Sequence, residues 1–279
     1  MFNTVLVGLD LSPAEQPIID CLPALQKWGV QRVVLTHVIQ VGYIEGATLA
    51  HEQEYHDWLE KLAQPLRAAG LETEVCIRTG GLPADEILAA ATAYRADLIV
   101  IGSRGHNLVS RIFLGSVART VIRKATLPVL LEWVEPTAVG TEQKCEAVCK
   151  DTLRHVLLAT DFSEQAAAAE LAAIHLASKA RRVDCLHVME SPSAKSISST
   201  TAEAAIATLI KRIQAAGSEG EGILLQGKAS AKIADYAARA DVSLIVAGKH
   251  GQNALASLVT GSTATKLCEI AGRPVLIIP

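Results

Sequence analysis

Aromatic side chains are scarce in this chain, with Phe, Tyr and Trp together making 4% of 279 residues. Half the residues are hydrophobic, many of them Ala, Leu, Val and Ile, which suits helices laid on a buried parallel sheet better than a β-sandwich. A large excess of one charge is also missing. The formal charge of −3 sets up no strong field and argues against a general nucleic-acid or anionic-membrane surface. No apolar run reaches the roughly 18 residues needed to span a bilayer. Met1-Phe2-Asn3-Thr4 leads into a strand-like run without a signal-peptide pattern. The expectation is a soluble cytoplasmic protein. The six cysteines, Cys21, Cys76, Cys145, Cys149, Cys185 and Cys268, fall at unrelated places in the two halves, so no shared disulfide or metal framework is implied. There is no GxSxG elbow and no Ser-His-Asp order, and no general base or phosphate-activating lysine is recognisable. Turnover is therefore expected to be slow at most.

What the chain does contain, it contains twice. Val5-Leu6-Val7-Gly8-Leu9-Asp10-Leu11-Ser12 returns as Val156-Leu157-Leu158-Ala159-Thr160-Asp161-Phe162-Ser163. Gly102-Ser103-Arg104-Gly105, nine residues, Gly115-Ser116 returns as Gly248-Lys249-His250-Gly251, nine residues, Gly261-Ser262. Asp10 recurs 151 residues on, His37 recurs 150 on as His187, and Gly102, Gly115 and Pro128 each recur 146 on. The second copy has lost residues before its second strand and before the glycine loop, whereas everything from that loop onward is gap-free. Insertions and deletions collect in surface loops, so the gap-free stretch reads as a packed or ligand-holding unit. Two domains are expected, at 1–134 and 153–279, joined by a polar linker at 135–152.

Each copy alternates strand and helix. The first predicts strands at Thr4–Leu9, Arg32–Ile39, Glu72–Arg78, Asp97–Ile101 and Pro128–Val134. Its helices are predicted at Pro13–Trp28, with Pro23 as an internal irregularity, Thr48–Ala69, Ala84–Arg95 and Ser116–Lys124. The second copy predicts strands at His155–Thr160, Val183–Met189, Gly222–Gln226, Ser243–Ala247 and Pro274–Ile278. Its helices are Gln165–Lys179, Thr201–Ala216, Ala229–Ala238 and Ser262–Ile270. Apolar strands alternating with helices indicate an α/β fold, a parallel sheet with helices on both faces.

The chemistry is expected at the glycine loop. Open α/β sheets bind ligands beyond the carboxyl ends of their strands. A helix opening at Ser116 or Ser262 offers unpaired amides and a partial positive charge to an anion there. Gly102, Gly105 and Gly115, with Gly248, Gly251 and Gly261, either admit close approach of a phosphate or adopt φ > 0 in a tight loop. Ser116 and Ser262 either cap the helix or donate a hydroxyl to phosphate. Arg104, Lys249 and His250 either face phosphates or are solvated loop groups. Asp10 and Asp161 close the first strand of each copy, where an acid accepts from ribose hydroxyls, holds a metal, or merely forms a turn. A helix terminus contributes about 0.3–2 kcal/mol to an anion, and micromolar binding needs about 8 kcal/mol. Further contacts to a base and a sugar are therefore required.

Two motif matches carry no such chemistry. Gly222-Ile-Leu-Leu-Gln-Gly227-Lys228 resembles a Walker A loop, but Ala229 stands where Ser or Thr is needed and the intervening residues form a strand. His51 and His56 imitate a zinc-protease helix, yet five residues of spacing rotates them about 140° apart. Cys145 and Cys149, with His155 nearby, read as linker thiols; on a helical linker the pair could instead bind metal or form a redox link. His37 and His187 read as satisfied core histidines.

Taken together, these features resemble the universal stress protein family, as a tandem two-domain member. The residues that carry the likeness are Asp10 with Ser12, Asp161 with Ser163, Val38 and Val188 after the strand-two histidines, both glycine loops, and the closing Pro128 and Pro274 strands. The resemblance implies a five-stranded, Rossmann-like sheet of the adenine-nucleotide hydrolase-like type in each domain. It implies ATP, with magnesium or manganese, as the ligand. The Val38 and Val188 backbones would meet adenine, Asp10 and Asp161 the ribose, and the glycine loops with Ser116 and Ser262 the triphosphate. Family dimers pair their final strands, so a tandem chain would supply an intramolecular pseudo-dimer, and the tandem chain could itself form a homodimer. The stretch after strand two differs, Val41–Ala50 against Ser191–Thr201, so the two adenine walls are not expected to be equal. A regulatory role through an unidentified protein partner follows from the same resemblance; the alternatives are a slow ATPase and a nucleotide-free scaffold holding another small ligand.

Overall fold

A computed structural model describes residues 2–39, 45–103, 114–139, 142–147, 151–190, 198–251 and 261–279. The chain divides into two compact units, Met1–Lys150 and Asp151–Pro279. In the first, β1 (Thr4–Leu9) lies between β2 (Arg32–Ile39) and β4 (Leu98–Gly102), with β3 (Glu72–Thr79) outside β2 and β5 (Val129–Glu132) outside β4, all parallel. In the second, β8 (Val156–Ala159) lies between β9 (Val183–Met189) and β11 (Leu244–Gly248), flanked by β10 (Gly222–Gln226) and β12 (Val275–Ile278). The expected parallel α/β architecture is thus present twice.

The inner strands are apolar at nearly every position because both faces are covered. Val5, Leu6 and Val7 are completely buried, as are Val156, Leu157 and Leu158. Continuous burial of this kind removes the in–out alternation of a half-exposed strand. The helices are α2 (Glu45–Ala68), α3 (Pro83–Ala93) and α4 (Ser116–Lys124) in the first unit. The second has α5 (Ala167–Ala177), α6 (Ser199–Ala215), α7 (Ala229–Arg239) and α8 (Ser262–Ile270). Their ends follow local chemistry. Pro83 opens α3 with Asp85 and Glu86 in the first turn, where acids favour the positive helix terminus. Gly70 and Gly217 follow α2 and α6 with φ of 89° and 104°, a conformation that disfavours other residues.

Two expectations are corrected. The helix expected over Pro13–Trp28 is α1 (Glu15–Cys21) followed by a 3₁₀ segment, Leu22–Trp28. Pro23 has no N–H for the Ile19 carbonyl, so the Leu22 amide takes that oxygen and the chain tightens to 3₁₀ spacing. Within the stretch expected to be a polar linker, β6 (Val134–Val139) and β7 (Glu142–Ala147) form an antiparallel hairpin that opposes Pro136 to Cys145. β7 runs beside α1 in the same unit. Cys145 therefore lies on a strand rather than a helix, and Cys149 falls outside the described residues. No helix among the described residues is long and apolar enough to cross a membrane.

Candidate functional site

In each unit the order of strands reverses between the first and fourth, β1 beside β4 and β8 beside β11. A crevice opens at such a reversal, beyond the carboxyl ends of the strands. The carboxyl ends of the first, second and fourth strands, with Asp10, Val38 and Gly102 in one unit and Asp161, Val188 and Gly248 in the other, lie on that side of the sheet.

The end of the first strand is built alike in both units, differing by one residue in where the serine hydroxyl finds its donor. The Ser12 amide donates to Asp10 Oδ1 at 3.2 Å, and Ser163 to Asp161 Oδ1 at 3.0 Å. Each serine hydroxyl then accepts from the next turn, from the Ala14 amide at 3.3 Å and the Ala166 amide at 3.2 Å. One carboxylate oxygen thus shapes the turn. The residue between acid and serine is left-handed in both copies, Leu11 at φ 60° and Phe162 at φ 57°. Such a conformation costs on the order of 1–3 kcal/mol for a residue with a side chain, a cost that clusters at binding sites.

His37 and His187 also match. Nδ1 of His37 donates to the Leu9 carbonyl at 2.9 Å, and that of His187 to the Thr160 carbonyl at 2.8 Å. They are satisfied buried histidines, and they tie the second strand to the end of the first. Val38 and Val188 follow directly, half-buried and buried, near the carboxyl end of that second strand.

The fourth strand ends at Gly102 and Gly248, and the loop that follows is stapled at its base. The Gly115 amide donates to the Ser103 carbonyl at 3.1 Å, and the Gly261 amide to the Lys249 carbonyl at 2.8 Å. Gly102, Gly115, Gly248, Gly251 and Gly261 all lie outside positive φ. In the second unit close approach constrains Gly248, Gly251 and Gly261, whereas a Cβ on Gly115 would meet nothing nearer than 3.9 Å. A Cβ on Gly251 would sit 2.5 Å from Asp161 Oδ2, and one on Gly248 would sit 3.1 Å from the His250 carbonyl. The loop glycine and the strand-one acid are thus in contact in the second unit. Arg104 and Gly105 lie outside the described residues.

Ser116 and Ser262 are exposed first-turn residues rather than caps. The N-caps are Gly115 and Gly261, with φ/ψ of −54°/146° and −56°/144° and no side-chain cap. The first intrahelical bonds are made by Arg119 and Thr265. The amides of residues 116–118 and 262–264 consequently have no intrahelical acceptor. The serine hydroxyls share that helix terminus.

Lys249 is not a solvated loop cation. It is buried, and burial holds its pKa below the usual lysine value. Its counterpart Ser103 is buried too, its hydroxyl accepting from the Val134 amide at 3.3 Å. His250 is half-buried and its Nδ1 is buried without a hydrogen-bond partner.

Several residues of the first crevice escaped the sequence reading. Glu15 opens α1, and its Oε1 is buried without a partner. Burial, and then the charge of Asp10, raise its pKa to about 8. Hydrogen bonds from Trp58 and from the Leu11 and Ser12 amides pull the other way. The Trp58 ring meets His37 edge-on at 5.5 Å, and Tyr55 lies 4.8 Å from the same histidine. Counting back from Gly70 and Gly217, Tyr55 and Trp58 correspond to Ala202 and Ala205, and Glu15 corresponds to Ala166. The signal available was their spacing, three apart on a helix face shared with Leu59 and Leu66, which is an ordinary core pattern. In the second unit His187 instead faces Phe162 at 5.2 Å.

Comparison with known proteins decides the family. The model of the universal stress protein family matches residues 1–131 and again 152–279. The chain belongs to the universal stress protein family. It is 42% identical over 69 residues to a universal stress protein of Thermus aquaticus, a match spanning 25% of this chain and only 50% of that one. It is 29% identical over 147 residues to the universal stress protein YxiE of Bacillus subtilis, covering 47% of this chain and 99% of that one. A universal stress protein structure from Archaeoglobus fulgidus superposes over 99% of this chain and 96% of that one, with a TM-score of 0.76 at 24% identity. That likeness establishes the fold, tandem arrangement included.

Proposed function

We propose that the protein is an ATP-binding regulatory member of the family, with a nucleotide held in the crevice of each domain. The observation that carries this reading is the contact between Gly251 and Asp161, which brings the glycine loop against the acid that ends the first strand. The first-turn amides of α4 and α8, which have no intrahelical acceptor, would hold phosphate oxygens, with Ser116 and Ser262 donating beside them. Asp10 and Asp161 would accept from ribose hydroxyls, and the Val38 and Val188 backbones would meet the adenine edge. The donor set suits an anion. Among the described residues no group of three or more His, Cys, Asp or Glu gathers as for a metal ion. Magnesium or manganese would therefore be carried by the phosphates and water, the usual habit of such ions with nucleotides. Occupancy, rather than turnover, would set affinity for a protein partner.

The test is calorimetry of nucleotide-free protein with magnesium–ATP, beside a Gly251→Val variant. Two sites per chain are expected in the first, and a loss of at least about 100-fold at one of them in the second, since the added side chain would occupy the cradle. Absence of any binding heat, with no retention in equilibrium dialysis, would remove the proposal.

A further inference from the structure

At the amino ends of its strands the second unit carries a buried polar cluster whose counterpart in the first is apolar. His155 lies just before β8, buried, and each of its ring nitrogens faces an oxygen. Nδ1 is 3.1 Å from the Ala240 carbonyl, and Nε2 is 2.8 Å from Oδ2 of Asp184. A carbonyl and a carboxylate can only accept, and a neutral imidazole has a single N–H. One ring nitrogen would then turn a bare lone pair towards an oxygen. Both contacts are satisfied together only by the imidazolium. Two further features favour that charge. Asp184 is completely buried and takes three other donors, Arg182 Nε at 2.9 Å, the Glu221 amide at 3.0 Å and the Tyr236 hydroxyl at 3.0 Å, which keeps it ionised. Ala240 is the C-cap of α7, the negative end of that helix, where a cation is stabilised.

We infer that His155, held as an imidazolium, is a proton-operated latch that fixes the C-terminal end of α7 to β8 and β9 and frees it when the proton leaves. The inference does not depend on the nucleotide reading. The latch joins His155 beside β8, Asp184 in β9, and Tyr236 and the final carbonyl of α7. Without the proton, one nitrogen–oxygen contact becomes repulsive in a place where little water can relieve it. The other ionisable groups around it are Arg182, which also reaches Glu221 at 2.7 Å, and the Arg154–Asp241 pair at 2.9 Å, with Arg273 3.5 Å from the same acid. Thr4, Val34 and Ala90 stand in the first unit for His155, Asp184 and Tyr236, so the same latch cannot form there. A freed His155 is an ordinary histidine, neutral above about pH 6.5, whereas the latched one keeps its second proton. Closure therefore weakens as pH rises, towards tenfold per pH unit, until the latched form also gives up its proton.

The experiment is NMR of the isotope-labelled full chain between about pH 6 and pH 9.5, reading the histidine ring nitrogens and amide hydrogen exchange. Exchange in α7 is divided by exchange in α3 of the first unit, which cancels the intrinsic pH dependence of the reaction. At about pH 7.5 both ring nitrogens of His155 should show the imidazolium signature. Protection of α7 relative to α3 should fall towards tenfold per pH unit above about pH 6.5. His155→Gln, which retains a donor but cannot ionise, should flatten that ratio. If the variant fails to fold, the ring signals and the exchange ratio of the unaltered chain decide by themselves. A neutral-imidazole signature at that pH, a ratio that ignores pH, or a His155→Gln protein that keeps the slope would each overturn the inference.

Discussion

The first and second crevices agree in the bonds that tie their strand ends together and differ in the side chains beside that frame. The Asp–x–Ser turn, the left-handed residue within it, the histidine tie and the staple below the glycine loop recur with hydrogen-bond lengths within 0.3 Å of each other. Glu15, Tyr55 and Trp58 on one side answer to Ala166, Ala202 and Ala205 on the other. Duplication kept this frame and let the remainder diverge. The lesson is that a shared backbone frame does not make two equal crevices.

A second contrast lies at the opposite ends of the strands, and the largest predicted effect tests it. Asp184 is completely buried in the second unit, where it accepts from His155 at 2.8 Å, Arg182 at 2.9 Å, the Glu221 amide at 3.0 Å and Tyr236 at 3.0 Å. Val34 occupies the equivalent place in the first. Burial raises the pKa of Asp184, but these four donors together outweigh it and hold the group below its usual 3.8. The unfolded chain therefore binds this proton more readily, so the contribution is present above about pH 4 and is lost as pH falls through the folded-state value. Asp184→Ala should destabilise the second unit by about 3–5 kcal/mol through the stranded partners. Urea unfolding followed by circular dichroism would show an earlier transition confined to that unit, and an unchanged transition would break the comparison.

Glu132 supplies the middle-sized effect. It is fully buried in β5, with Oε2 unpaired and its pKa pushed to about 8 by burial, where the second unit has Ile278. The folded protein keeps a proton that the unfolded chain has released, so stability from this group falls as pH climbs from 4.5 towards 8. Glu132→Leu should stabilise the chain by roughly 2 kcal/mol at pH 8, the cost of burying an unsatisfied polar group. Thermal melting at pH 5 and pH 8 would check it: the gain should be larger at pH 8. The smallest effect concerns Ser116→Ala and Ser262→Ala. A lost cap costs about 1 kcal/mol, but neither serine is a cap, so melting should shift by less than that. Any loss in ATP affinity should be only severalfold.

Much of this architecture was legible in the chain because its signals are local. The limits of β9, β10, α4 and α8 coincide with the expected ones, each being an apolar or amphipathic run with polar or glycine residues at its ends. Pro23 signalled the break in the first helix, but apolar spacing could not report that the chain would go on as a 3₁₀ segment. The β6–β7 hairpin was missed because its strands are polar and contain Pro136, which is tolerated where an edge needs no donor. At the site, the repeat located Asp10, Asp161 and both glycine loops. The reason for the glycines was legible only in space, since the neighbour that forbids a side chain at Gly251 is Asp161, ninety residues away. Glu15 was invisible for a similar reason. Its chemistry comes from the turn that carries it over Asp10, and an isolated glutamate at a helix start reads as solvated.

The staple beneath each glycine loop has a mechanical consequence. With Gly115 bonded to Ser103, and Gly261 to Lys249, the two ends of a long excursion already meet before any ligand arrives. The entropy of closing that ring is met by the protein itself, and it grows only slowly with contour length. The start of the helix that follows is therefore held at the end of the fourth strand whatever residues lie between the clasped ends.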